Sequence, residues 1–173
     1  MTTAIENPYL VGNFAPVLDE RDDADLEITG AIPPEIDGLL LRNGPNPIVD
    51  PDPAQYHWFL GDAMIHGIEL RNGRARYRNR FVRTPAAARA LGEDAPGASA
   101  DLNGLECKAS TALVQHAGRI MALYEVSLPT EIRADLSTAG GVDFGGRLST
   151  PFTAHPKVDP VTGEMLFIGY DIF

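Results

Sequence analysis

Cysteine is almost missing from this sequence. Cys107 is the only one in 173 residues, which excludes an internal disulfide and fits a reducing compartment. It sits in "GLECKAS", with no glycine elbow and no histidine nearby, and reads as a structural thiol rather than a nucleophile. No run approaches the ~18 apolar residues of a membrane-spanning helix. The opening "MTTAIENPYL" has no basic region followed by an apolar core, so no secretory leader is visible. The expected location is the cytoplasm, with peripheral contact between exposed apolar loops and a membrane left open. An excess of positive charge is also absent. Lys and Arg number 14 against 24 Asp and Glu, a net charge of −10, whereas nucleic-acid binders gather cations on one face. The densest basic stretch, Arg71 to Arg83, alternates with apolar residues and reads as the solvent face of a strand pair. Long helical periodicity is missing too. Only "PAAARALGEDAPGASA", residues 85–100, starts with enough alanine for a turn or two of helix, and the rest of it reads as a surface loop.

What is present is that of a globular all-β protein. Hydrophobic residues make up 44% and charged residues 22%, enough for one domain with a real core. "GIELRNGRARYRNRFV" places Asn72-Gly73 between two alternating runs, the mark of a tight turn with positive φ at both central residues. "TALVQHAGRIMALYEV" repeats the layout around Ala117-Gly118. "TAHPKVDPVTGEMLFIGY" repeats it again around Asp159 to Gly163. "HWFLGDAMIHGIEL" reads as strand, Gly61-Asp62 turn, strand. Residues 1–56 are dense in proline, which pushes each preceding residue toward extended geometry. They form an extended segment with short strands at "LEITGAI" and "GLLLRNG", and residues 57–173 form hairpins. Successive hairpins of this kind suit a sandwich, a barrel or the blades of a propeller. The sequence stops at Ile172-Phe173 inside an apolar strand pattern, as a chain truncated at its C-terminus would.

The candidate chemistry rests on histidine and one glutamate. His57 and His66 bracket "WFLGDAMI", but no Cys, Asp or Glu stands beside them at metal spacing, and His116 falls in the turn "QHAG" and reads as exposed. His155 differs: it ends the apolar run Phe152-Thr153-Ala154, and Pro156 fixes the backbone beyond it. A rigidly held imidazole suits a first-row transition metal, although on pattern alone a hydrogen-bonded core histidine accounts for it as well. Glu125 stands in "RIMALYEVSL", a strand apolar on both faces, so its carboxylate is expected to be buried and to need a donor. A metal-bound histidine offers its second ring N–H as such a donor. The other reading has Glu125 facing solvent or a local backbone amide.

Four blocks in order resemble the N-terminal part of the carotenoid cleavage oxygenase family: "NPYLVGNFAPV", "GAIPPEIDGLLLRNGPNP", "HWFLGDAMIHG" with "GRARYRNRFVRT", and "FTAHPKVDPVTGEM". The resemblance implies a seven-bladed β-propeller, of which this chain would supply the extended segment and about two blades. It also implies a non-haem Fe(II) held by four histidines. By resemblance His155 is the first of these, Glu125 hydrogen-bonds a ligand histidine, and His57, His66 and His116 match no ligand position. Two residues depart from the family pattern: Leu60 and Ala63 stand where an Asp and a Gly are usual, which implies altered packing in that turn. The implied activity is a dioxygenase that cleaves a conjugated C=C bond of a carotenoid, apocarotenoid or stilbene with O₂, giving carbonyl products. Two alternatives stay open. One is a catalytically silent propeller fragment or binding module; the other is an isomerase using the same iron without oxidative cleavage.

Overall fold

The computed structural model of the chain describes residues 6–169. Its strands are β1 (Asp22–Asp23), β2 (Gly38–Asn46), β3 (Asp62–Arg71), β4 (Arg74–Phe81), β5 (Ala112–His116), β6 (Arg119–Leu123), β7 (Thr130–Ile132), β8 (Thr138–Gly141), β9 (Lys157–Val158) and β10 (Met165–Leu166). One helix, α1 (Pro85–Leu91), separates the strands of the first sheet from those of the second. The first sheet has the order β1-β4-β3-β2, the second is the meander β5-β6-β7-β8, and β9 and β10 pair alone, all antiparallel. Two four-stranded antiparallel sheets followed by the start of a third are the repeat of a β-propeller.

The hairpin turns follow from local chemistry. Asn72 (φ 52°) and Gly73 (φ 71°) close β3 onto β4, with Arg71 facing Arg74. Ala117 (φ 47°) and Gly118 (φ 78°) do the same for β5 and β6. Such paired positive φ values match the right-handed twist of the strands they join. Between β9 and β10 the Asp159 carboxylate accepts from the amides of Val161 (2.7 Å) and Thr162 (3.1 Å). The helix is also locally specified: Thr84 caps it, Pro85 opens it, and Gly92 in the left-handed region ends it. The loop after it is pinned to β8, where the Gly141 amide donates to Ala98 O at 2.6 Å.

Two expected strands do not form. "HWFL" is a 3-10 turn, Trp58–Leu60, because His57 Nδ1 accepts from the Phe59 amide at 3.2 Å and gives the backbone a partner other than a ladder. "LEITGAI" holds the sheet only through the Leu26 amide on Ala75 O (2.9 Å), since Gly30 (φ 90°) and Pro33-Pro34 lead the chain away. The edge strand is Asp22–Asp23 instead. The proline-rich residues thus supply two strands of the first sheet, one of them nine residues long. The strand pattern expected at Ile172-Phe173 lies outside the described residues.

Between the sheets lies a core of Ala63, Ile65 and Val82 from one side and Ala109, Ala122, Ile132 and Leu136 from the other. The opposite face of the second sheet buries Met121 and Leu123 against Phe152 and Ala154. β6 is therefore apolar on both faces because it is covered on both, each large buried side chain contributing about 1.5–3 kcal/mol. The outer face of the first sheet is crossed by the N-terminal segment. Asn46 exchanges two hydrogen bonds with the backbone of Val17 (2.7 and 2.8 Å), and Asn79 binds Arg21 N–H and Asp19 O (2.6 and 2.9 Å). Asn7 adds a third clamp, donating to Pro53 O and Tyr56 O. The arginines of β4 do not face bare solvent. Arg76 grips both oxygens of Asp22 (2.7 and 2.8 Å), Arg78 shares it at 3.1 Å, and Arg74 meets Asp25.

Candidate metal centre and aromatic cleft

After Leu123 the β6 ladder ends and the chain turns through residues 124–127 toward β7. Glu125 thus sits in a turn, not inside a strand, and its side chain is 29% exposed rather than fully buried. Phe152 and Ala154 are buried and Thr153 is half-buried, in an irregular segment. The Phe152 amide donates to Ser127 O, whereas the Ala154 amide donates to Glu125 Oε2 at 3.1 Å. The His155 amide turns back onto Thr153 Oγ1 at 3.1 Å, and Pro156 follows. These bonds aim the His155 ring at Glu125, with Nε2 3.0 Å from Oε1. One carboxylate therefore holds both the backbone before the ring and the ring itself.

The ring does not enter the core. Its side chain is 69% exposed and opens into a cleft of about 640 Å³. A core position is denied to it because the apolar run that precedes it has already filled the space beside β6. With Nε2–H donated to a carboxylate, the lone pair of the imidazole is on Nδ1, directed away from Glu125. That is the donor chemistry of one corner of an imidazole-bound metal. Among the described residues no group of three or more His, Cys, Asp or Glu side chains could hold an ion. His155 fits as one ligand of a larger set.

Aromatic rings line the rest of the cleft: Tyr9 and Phe14 from the N-terminal segment, Trp58 and Phe59 from the 3-10 turn, and Tyr124 beside Glu125. Phe14 and Trp58 lie 4.8 Å apart and Tyr9 and Trp58 6.3 Å apart, so they form one connected wall. No sequence motif announces this wall, because its members come from segments far apart in the chain. Asn43 is a second residue the motifs did not reveal. Its Nδ2 donates to Ala109 O (2.7 Å) and Ala112 O (3.2 Å) and ties β2 to the second sheet at the cleft floor.

The other histidines are accounted for differently. His57 caps its turn and stacks edge-on against Tyr9 at 4.7 Å. His116 ends β5 half-buried rather than exposed. His66 lines the cleft with Nδ1 2.7 Å from the Tyr77 hydroxyl, and burial, aided by the Arg42 charge, lowers its pKa. Leu60 ends the 3-10 turn with 57% exposure and packs against little, while Ala63 is buried in the intersheet core. Gly61 rather than Leu60 controls the turn: a Cβ there would lie 2.7 Å from Tyr56 Oη and 2.9 Å from Asn46 N.

Residues 14–173 match the family described as retinal pigment epithelial membrane protein. The chain is 49% identical to a carotenoid cleavage oxygenase of Mycobacterium tuberculosis, over 98% of this chain and 35% of that protein. Its fold is similar to a crystal structure of the lignostilbene dioxygenase of Pseudomonas brassicacearum, with a TM-score of 0.81 and 32% identity over 95% of this chain and 37% of the other. It is also similar to a cobalt-substituted apocarotenoid oxygenase of Synechocystis, with a TM-score of 0.71 and 28% identity over 89% of this chain and 37% of the other. The chain thus spans about a third of the length of the proteins it matches. By this match and by its two antiparallel blades, the chain belongs to the retinal pigment epithelial membrane protein and carotenoid cleavage oxygenase family and forms an N-terminal portion of its β-propeller.

Proposed function

We propose that the whole protein is a non-haem Fe(II) dioxygenase that cleaves a conjugated C=C bond of a carotenoid, apocarotenoid or stilbene with O₂ to give two carbonyl products. The observation that carries this reading is the Glu125-held imidazole of His155 at the wall of an aromatic cleft. His155 would be one iron ligand and Glu125 its hydrogen-bond partner. Bound Fe(II) would supply the redox chemistry that O₂ requires. The chain's own part is to fix the ring's direction through Glu125 and Thr153, to receive an apolar substrate on the Tyr9, Phe14, Trp58, Phe59 and Tyr124 rings, and to limit water there. The cobalt-substituted relative supports a metal in this fold.

The 173-residue chain alone supports a second reading, a silent propeller portion or binding module, because no group of three or more His, Cys, Asp or Glu among its described residues could hold a metal. The two separate by experiment. Full-length protein should hold iron near one equivalent and place one atom of ¹⁸O₂ in each of the two carbonyl products of a cleaved polyene or stilbene. The His155→Ala variant should lose both iron and turnover. Iron retained by this variant overturns the assignment of His155, and geometric isomerisation without label would point to the isomerase reading. We place the protein in the cytoplasm with its apolar rim, Phe59 at 67% and Leu60 at 57% exposure, able to touch a membrane surface. Co-flotation with phosphatidylcholine vesicles tests that placement, and loss of flotation in Phe59→Ser would support it.

A further inference from the structure

Most arginines among the described residues hold a carboxylate; Arg42, Arg133 and Arg147 do not, and of these three Arg42 alone lines the cleft. Arg71, Arg74, Arg76, Arg78 and Arg83, along β3, β4 and the loop after them, each hold a carboxylate at 3.2 Å or closer. Arg42, on β2, is exposed and pairs with no carboxylate among the described residues, although acidic residues outnumber basic ones 24 to 14. It lines the cleft. It stands directly opposite His66 in the β2–β3 register, which places the two side chains on one face. His66 is turned by the Tyr77 hydroxyl on Nδ1 (2.7 Å), so Nε2 is left for the cleft. Burial first, and the Arg42 charge second, lower its pKa and favour the neutral form of this ring. A planar guanidinium beside a neutral imidazole, at the side of a wall made of aromatic rings, is a receptor for an oxyanion on an otherwise apolar molecule.

We propose that Arg42, with His66 beside it, binds the carboxylate end of a conjugated apolar substrate and so sets how far that substrate reaches along the cleft. This rests on the reading of the cleft as the substrate site. An apolar chain slides along aromatic rings with little preference, since stacking and burial have no fixed register. A charged end held by a fork of N–H donors supplies that register. The guanidinium would give two parallel N–H bonds to the two carboxylate oxygens, and His66 would contribute one more from Nε2–H when Nδ1 accepts from Tyr77.

The test uses full-length protein under nitrogen, so that no turnover removes the ligand. The probes are a conjugated tetraene fatty acid, whose fluorescence rises in apolar surroundings, and its methyl ester. Wild type should bind the acid at least tenfold more tightly than the ester. Arg42→Gln should weaken the acid about tenfold or more and leave the ester within twofold, and Arg42→Lys should recover part of the loss. His66→Phe should weaken the acid by a smaller factor. Equal binding of acid and ester by wild type overturns the proposal, as does equal loss of both in Arg42→Gln, which a merely structural role would produce. The result is independent of the oxygenase reading. Acid selectivity without cleavage in air would keep the anchor and refute the oxygenase, whereas cleavage with no Arg42 selectivity would do the reverse.

Discussion

Single asparagines hold the N-terminal segment in place. Asn46 satisfies both the N–H and the C=O of Val17, which lines the cleft, and it is itself buried. Removing a buried partner leaves backbone groups unpaired at about 1–3 kcal/mol, so Asn46→Ala should lower the melting temperature and deprotect the Val17 amide in hydrogen exchange. Protection unchanged at Val17 would show that the clamp is idle. His66 gives a pH signature. Its folded pKa is lowered from 6.5 by burial first and the Arg42 charge second. The unfolded chain therefore binds the proton more readily, and stability should be full above about pH 6.5 and fall as pH drops below it. Chemical denaturation between pH 8 and 5 should show a smaller decline in His66→Phe than in wild type. At this scale the sequence was readable where chemistry is explicit. Glu125 and His155 could be paired from a buried acid's need for a donor, and they stand 3.0 Å apart. Their exposure was not readable, since it depends on Phe152 and Ala154 taking the space beside β6.

Elements were legible where their ends carry local signals. The turns at Asn72-Gly73, Ala117-Gly118 and Asp159 to Gly163, and the Thr84–Gly92 capping pair, are written in a few adjacent residues. "HWFL" misled because its residue types favour a strand, while the ring of His57 captures the Phe59 amide and tightens the backbone. The 3-10 turn also explains what the departure at residue 60 does. Leu60 is exposed, so Leu60→Asp should change stability by less than about 0.5 kcal/mol. Gly61→Ala should cost more, about 1–3 kcal/mol, because the new methyl meets Tyr56, Asn46 and Pro45. Urea melts of the two variants side by side check the order, and a larger loss in Leu60→Asp would refute it. The arginine face of β4 makes a different prediction. Asp22 is held at a pKa of about 2, chiefly by its hydrogen bond to Arg76. Its contribution should persist down to about pH 4 and fade only as pH approaches 2, and salt should weaken it at any pH because the pair is open to solvent.

Across the whole molecule, the two sheets and their shared core follow from alternation along the strands, and the propeller class was legible from four ordered blocks of sequence. The aromatic cleft was not, because Tyr9, Trp58 and Tyr124 line one cleft only after the N-terminal segment has been clamped to the first sheet and the two sheets have packed together. If the metal reading holds, Glu125→Gln should weaken iron binding by about 10–100-fold without unfolding the protein, since the amide keeps an acceptor for Ala154 but loses the charge that makes the ring a better donor. Iron titration alongside circular dichroism would detect this, and full iron affinity in a folded Glu125→Gln protein would remove Glu125 from the site. The intersheet core has one more consequence. Cys107 is fully enclosed there, receives a hydrogen bond from Ser127 at 3.0 Å, and is kept protonated by burial. Its sulfur can meet an alkylating reagent only when the blades part, so the rate at which that thiol is tagged is a clock for how often this portion of the propeller breathes.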